Sequence, residues 1–214
     1  QLLGEKVVEQ FGSTFPLLIK FIDARDDLSI QVHPDDELAK KRHNSFGKTE
    51  MWYVVDCEPG AYLYCGLSKD ASKEEIRERI ENNTITDILN KVEVSKGDCV
   101  MVKAGTIHAI GAGILICEIQ QNSNCTYRMY DYDRRDKFGN KRELHVDKAL
   151  DVVDTKRYVP YESSSNAYDE ALNEAAATIE ADSSEGQLLV SCKYFECYKY
   201  DISDSVSINV DTAL

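Results

Sequence analysis

The 214-residue sequence is short of positive charge: 25 Lys plus Arg face 38 Asp plus Glu, a formal charge of −13. That balance argues against a general nucleic-acid binder, which needs a basic footprint to neutralise phosphates. It argues equally against docking on anionic lipid. An anionic substrate must then be met locally, by a few Lys or Arg side chains or by a metal ion. Long hydrophobic runs are missing too. No apolar stretch approaches the roughly 20 residues of a membrane-spanning helix, and no signal-peptide pattern opens the chain. With 43% hydrophobic and 29% charged residues, a cytoplasmic globular protein is the expectation.

Paired metal-type or redox-type cysteines are also absent. The seven cysteines, at 57, 65, 99, 117, 125, 192 and 197, are odd in number and never form Cys-x-x-Cys. Neither a zinc ribbon nor a thioredoxin-type pair is indicated, and buried reduced thiols are expected. Gly111-Ala112-Gly113 lacks the third glycine and following helix of a dinucleotide loop. No serine stands in a nucleophile-elbow context. The chain opens on Gln1, in mid-pattern, and reads as a piece of a longer protein.

What the sequence does hold is short β-like runs. Phe15 to Ile22, Leu28 to Val32, Met51 to Val55, Ala61 to Cys65, Cys99 to Val102 and Ile114 to Gln120 are dense in β-branched, aromatic or other apolar residues. Each is bounded by Gly, Pro, Asp or Asn. Strands of this length separated by turn signals predict a mainly β sandwich or barrel. Helices interrupt them. Pro34-Asp35-Asp36-Glu37 supplies a first turn and Lys40-Lys41-Arg42 a last one, matching both ends of a helix dipole. Ser72 and Glu75 form a capping-box pattern before Ile76 and Ile80, with Glu75 and Arg79 spaced for an i,i+4 pair. A third helix is expected over Val146 to Val153. Residues 1–160 read as one β domain. Tyr161 to Gly186, with its serine run and acidic Ala-rich stretch, reads as a linker or surface excursion partly helical around Glu170 to Ala177. Residues 187–214 read as the start of a further, incomplete β region.

The chain has four histidines: His33, His43, His108 and His145. In a strand, i and i+2 share a face, so Gln31 and His33 can converge on one point. Glu50 opens the next β run, 17 positions after His33, and His108 follows Gly105 by three. Singly, each has an ordinary reading, a hydrogen-bonded core histidine or a solvated strand end. Trp52 and Tyr53 suit a sugar face or a core equally well. His43 follows a basic helix end and suits its dipole; His145 stands where the third helix would be capped.

Together, the polar pair at strand spacing, the following acid and the Gly-x2-His segment resemble the two-part metal signature of the cupin superfamily, a double-stranded β-helix. Gln31 replaces the usual first histidine, and Lys103 stands where proline is common. Within that superfamily the segments FPLLIKFIDA (15–24), LSIQVHPDD (28–36), GKTEMWYV (47–54), AGTIHAIGAGILICEIQQNSNCTYRMYDYDR (104–134) and RELHVDKALDVV (142–153) resemble the type I mannose-6-phosphate isomerases in their shorter bacterial form. The resemblance covers roughly residues 1 to 160, in the family's order; the family extends beyond this chain at both ends.

The resemblance implies a zinc ion, one per chain, on Gln31, His33, Glu50 and His108. Two imidazoles, a carboxylate and an amide oxygen suit zinc with open positions, although the donor set alone also admits iron or manganese. It further implies an aldose–ketose isomerase that moves a proton between C2 and C1 of a sugar phosphate through a cis-enediol. Lys48, two residues before Glu50, is the candidate for proton transfer, since a neighbouring cation makes an ammonium a better acid; an ordinary strand lysine is the alternative. Arg128 aligns with a family arginine at the reacting centre, and its planar fork suits an enediolate or phosphate. Whether Arg128 or Lys103 takes the phosphate stays open. Arg134 and Arg135 read more simply as a solvated charged loop. A non-catalytic cupin that binds a sugar or sugar phosphate, and an iron oxygenase, are the competing classes.

Overall fold

Backbone pairing distributes the strands over two antiparallel sheets within residues 18–160, one of two compact units into which the chain divides. The computed structural model describes residues 8–9, 12, 14–160 and 186–202. In the first sheet β1 (Leu17–Ala24) lies beside β8 (Ile114–Gln121), then β3 (Glu50–Cys57), then β6 (Cys99–Val102). In the second the order is β5 (Leu89–Glu93), β4 (Tyr62–Leu67), β7 (His108–Ile110), β2 (Ile30–Val32) and β9 (Tyr127–Tyr130). Except from β4 to β5, consecutive strands change sheets. That path produces the expected cupin-like, double-stranded β-helix: the chain winds around a common interior and seldom folds back beside itself.

Side-chain alternation explains where the two cores sit. Trp52 and Val54 of β3, Ile114 and Ile116 of β8, Leu63 and Cys65 of β4 and Ile110 of β7 are buried in one cluster between the sheets. Ile30, Val32, Ala109, Tyr127 and Met129 form a second cluster with Ile76, Ile80, Ala149 and Leu150. Those last four belong to helices, so the second sheet is covered on its outer face by α2 (Lys73–Glu81) and α3 (Val146–Val152). One end of the space between the sheets is thus sealed by apolar packing, and the polar residues described below occupy the rest.

The helix signals hold with local corrections. α1 runs over Asp36–His43, and Asp35, not Pro34, is its N-cap, accepting from Leu38 N at 2.9 Å. Proline therefore precedes the cap. Asn44, at φ 50°, ends the helix in the left-handed region that an asparagine tolerates. Ser72 caps α2 through Glu75 N at 3.1 Å. The capping box is only half formed, because the Glu75 carboxylate turns to Lys69 at 2.7 Å. His145 occupies the N-cap of α3 without a side-chain cap bond. β5 and a 3₁₀ turn at Ile85–Ile88 fall in a stretch that carries no clear strand signal.

In the other unit, residues 186–202 form an antiparallel hairpin of β10 (Gln187–Ser191) and β11 (Glu196–Lys199). The expected linker at residues 161–185 and the expected strand toward Val210 lie outside the described residues. All seven cysteines are free thiols. Among the described residues no helix is long and apolar enough to cross a membrane.

Candidate metal centre

Register brings the polar residues together. Gln31 of β2 pairs with His108 of β7 on one side and with Arg128 of β9 on the other. Directly opposed residues of antiparallel strands share a face, so all three project from the same side of the sheet. Glu50, the first residue of β3, comes from the opposite sheet, and His33 from the turn after β2. The result is a constellation of His33, Glu50 and His108 whose ligand atoms all lie within 4.8 Å of one another. Each of the three side chains is at most 1% exposed.

The orientation of each ring is fixed from behind. His33 Nδ1–H donates to Cys125 O at 3.0 Å and His108 Nδ1–H to Thr106 O at 2.8 Å. With Nδ1 engaged, each Nε2 turns its lone pair inward, toward Glu50: His33 Nε2 is 3.5 Å from Oε2 and His108 Nε2 is 3.4 Å from Oε1. The Gln31 carboxamide reaches His108 Nε2 at 3.3 Å. The two amide ends are interchangeable by rotation, so either the oxygen or the nitrogen can face the centre.

Three buried atoms in this cluster, His33 Nε2 and both carboxylate oxygens of Glu50, have no hydrogen-bond partner. Buried polar atoms are seldom left so, and an ion is one of the few physical reasons for it. Two neutral imidazoles, a carboxylate and an amide oxygen suit a borderline divalent cation such as zinc. The donor set fits a metal.

Electrostatics keeps the residues of the cluster in forms that can bind a metal. Burial depresses His33 from 6.5 to about 4, against the opposing pull of Glu50. Burial lowers His108 as well, so both rings stay neutral. For Glu50 burial pushes upward, but the charge of Lys48, joined by the two histidines where they are protonated, outweighs it and holds the carboxyl well below its usual range. Lys48, 5% exposed, places Nζ 3.2 Å from Glu50 Oε2.

The remaining expected residues separate into two groups. Arg128 is on the site face, anchored by bonds from Nη1 to Glu143 O at 2.9 Å and from Nε to Ser29 Oγ at 3.4 Å. Lys103 is exposed in the β6–β7 connection. Arg134 is taken up by Asp131 and by the Asp27 carbonyl, and Arg135 by Gly139 O at 2.8 Å, so both serve the loop after β9. Trp52 is a core residue: fully buried, it stands edge-on to His108 with ring centroids 5.4 Å apart. His43 lies in the last turn of α1 and contacts Tyr127 Oη at 2.8 Å. The His145 ring accepts from Arg128 N at 3.1 Å, which ties α3 to β9.

Sequence reasoning did not single out the polar inner face of β8. Glu118 accepts from Trp52 Nε1 at 3.1 Å and from Lys20 Nζ at 2.6 Å, and Gln120, opposite Glu50 in register, accepts from the same Lys20 at 2.6 Å. Polar residues at alternate positions of an otherwise apolar run were the available signal.

The family described as phosphomannose isomerase type I, catalytic domain, matches residues 1–58. Mannose-6-phosphate isomerase ManA of Bacillus subtilis is 41% identical over 198 residues, 92% of this chain and 59% of that protein. The mannose-6-phosphate isomerase of Streptococcus mutans is 41% identical over 204 residues, 94% of this chain and 60% of that protein. The crystal structure of the Bacillus subtilis mannose 6-phosphate isomerase superposes with a TM-score of 0.77 at 34% identity, covering 94% of this chain and 62% of that one. The chain thus spans 59–62% of the length of these relatives.

Proposed function

We propose that this chain, which is related in sequence and fold to the type I phosphomannose isomerases, is the metal-binding catalytic part of an enzyme that interconverts mannose 6-phosphate and fructose 6-phosphate. The observation that carries the proposal is the buried His33–Glu50–His108 cluster, in which three buried polar atoms make no hydrogen bond and the Lys48 ammonium is the neighbouring charge. Gln31, His33, Glu50 and His108 would hold one zinc ion per chain. Zinc, when bound, supplies Lewis-acid stabilisation of negative charge on a sugar carbonyl oxygen without redox change. In this reading residues 1–160 are the catalytic cupin domain, 161–186 a linker and 187–214 the start of a further β region. The free thiols fit a reducing compartment, and the reaction is assigned to the cytoplasm.

The residues divide the chemistry. Lys48 Nζ, held 3.2 Å from Glu50, takes the C2 proton of the open-chain aldose as the neutral amine and becomes the ammonium. The C–H electron pair becomes the C1–C2 double bond while O1 gains a proton, giving the cis-enediol. Return of the proton to C1 and loss of the O2 proton complete the ketose. Arg128, on the same sheet face as Gln31 and His108, offers a fixed guanidinium to an anionic oxygen of the substrate. Two barriers keep bulk water from the reacting carbons: burial of the ligands and the Trp52 wall behind His108.

Incubation with fructose 6-phosphate in deuterated water tests the reading. Solvent deuterium should appear at C2 of the mannose 6-phosphate formed, and elemental analysis should give about one zinc per chain. A chain that binds the sugar phosphate yet never labels it is a binding protein, and iron in place of zinc favours the oxygenase.

A further inference from the structure

We infer that Ser123 is a positioning residue of the metal centre, one that sets the orientation of His33 through the Cys125 carbonyl. The loop between β8 and β9 has no strand partner of its own, yet it supplies the carbonyl that receives His33 Nδ1–H at 3.0 Å. Side chains hold that loop in place. The Ser123 hydroxyl donates to Phe46 O at 2.7 Å and accepts from Cys125 N at 3.2 Å. Gln120 Nε2 donates to Gln121 O at 2.7 Å and to Ser123 O at 2.9 Å, while its Oε1 accepts from Lys20. Ser123 is 3% exposed and Gln120 fully buried.

This arrangement joins two segments distant in sequence. Phe46 lies in the connection that leads to Lys48 and Glu50, and Cys125 lies behind His33. One hydroxyl therefore fixes the spacing of the carboxylate side of the cluster and the imidazole side. Without it the Cys125 N–H loses its acceptor, the Cys125 backbone is held less firmly, and the ring that depends on the Cys125 carbonyl gains rotational freedom. Partners that orient ligand histidines in this way are typically worth ~10–100-fold in metal affinity.

The inference rests on the metal reading above, and the test separates the two. Zinc affinity of this chain is measured by chelator competition, with the visible spectrum of the cobalt-substituted form as a report on coordination geometry. Metal-free melting temperatures are recorded alongside. S123A should bind zinc ~10-fold more weakly with altered cobalt bands, and S123T, which keeps the hydroxyl, should recover both. Should S123A fail to fold, Q120E tests the same loop: it retains the acceptor for Lys20 but replaces two N–H donors with an oxygen, and weaker zinc binding is expected. Absence of zinc binding by the unsubstituted chain overturns the metal reading and this inference with it. Tight binding by the unsubstituted chain, equalled by S123A or Q120E with unchanged cobalt bands, overturns the inference alone. So does a fall in metal-free melting temperature that accounts for the whole loss of affinity.

Discussion

Glu50 is the residue on which the charge balance of the site turns. It faces Lys48 and two neutral imidazoles in a region without solvent, so an isosteric amide leaves the shape but removes the anion. Glu50→Gln is expected to weaken zinc binding by more than the ~100-fold upper range of an outer-shell change, and to abolish isomerisation; chelator competition and the labelling assay read the two. His33 adds a pH dependence to the metal-free chain. Its folded value, about 4 against an ordinary 6.5, means the unfolded chain takes up a proton that the folded one refuses. The associated stability is fully present above pH 6.5 and is lost as pH falls toward 4. A shift from 6.5 to about 4 corresponds to about 3 kcal/mol. The stability advantage of the metal-free wild type over His33→Asn should therefore shrink by about that amount between pH 7 and pH 4 in denaturant titrations; an advantage constant with pH would refute it. The residues of this cluster were legible because strand spacing and a Gly-x2-His segment mark them. Lys20, Gln120 and Ser123 were not: Lys20 meets Gln120 from the neighbouring strand 100 residues away and Ser123 meets Phe46 across 77 residues, and no local pattern records such contacts.

At the scale of elements, the α1–β3 connection shows how a helix end positions the strand that carries Glu50. Gly47 is buried against the start of α1: a Cβ there would stand 2.5 Å from Asp36 N and 2.6 Å from Asp35 C. Its N–H donates to Asp36 Oδ1 at 2.9 Å, and Lys48 N donates to Pro34 O at 3.0 Å. The backbone contact can be relieved only by moving the connection that delivers Lys48 and Glu50. Gly47→Ala is expected to cost ~1–3 kcal/mol and to reduce zinc affinity as well. Asp35→Ala, by contrast, removes only the cap bond to Leu38 N and should cost ~1 kcal/mol with zinc affinity unchanged. Denaturant melts and chelator competition on both variants separate the two effects, and a Gly47→Ala chain with unaltered zinc affinity would show that the connection does not position the site. Six strands of this unit were legible from apolar density and turn residues, and Cys99–Val102 has the expected bounds, whereas β5, β7 and β9 carried no such mark. Strand pairing was not legible. The alternation of strands between sheets depends on which buried faces meet, as in the shared cluster of Trp52, Leu63, Ile110 and Ile116, and a linear pattern carries only the periodicity. Capping shows the same limit: Ser72 was recognisable, while the turn of Glu75 toward Lys69 required knowing where Lys69 would lie.

For the whole molecule, net charge and local chemistry pull in opposite directions. The chain carries −13, and the proposed substrate carries a phosphate that is largely dianionic near neutral pH. At the site the cations are not free of partners: Lys48 lies beside Glu50 and Arg128 is bonded to Glu143 O and Ser29. Within the unit that holds the site, residues 18–160, 22 Lys plus Arg face 25 Asp plus Glu, so the approaching substrate meets a weakly negative net field and meets the guanidinium and ammonium groups only at contact. Salt screens the first effect strongly, because the Debye length shortens from ~30 Å at 0.01 M to ~8 Å at 0.15 M, and screens buried contacts far less. The apparent KM for mannose 6-phosphate should accordingly fall as ionic strength rises over that range, while kcat changes little. Steady-state kinetics in a non-coordinating salt provides the measurement. The opposite slope, a KM that climbs steadily with salt from the lowest concentration, would mean that a positive field around the mouth of the site outweighs the molecular charge and steers the phosphate in.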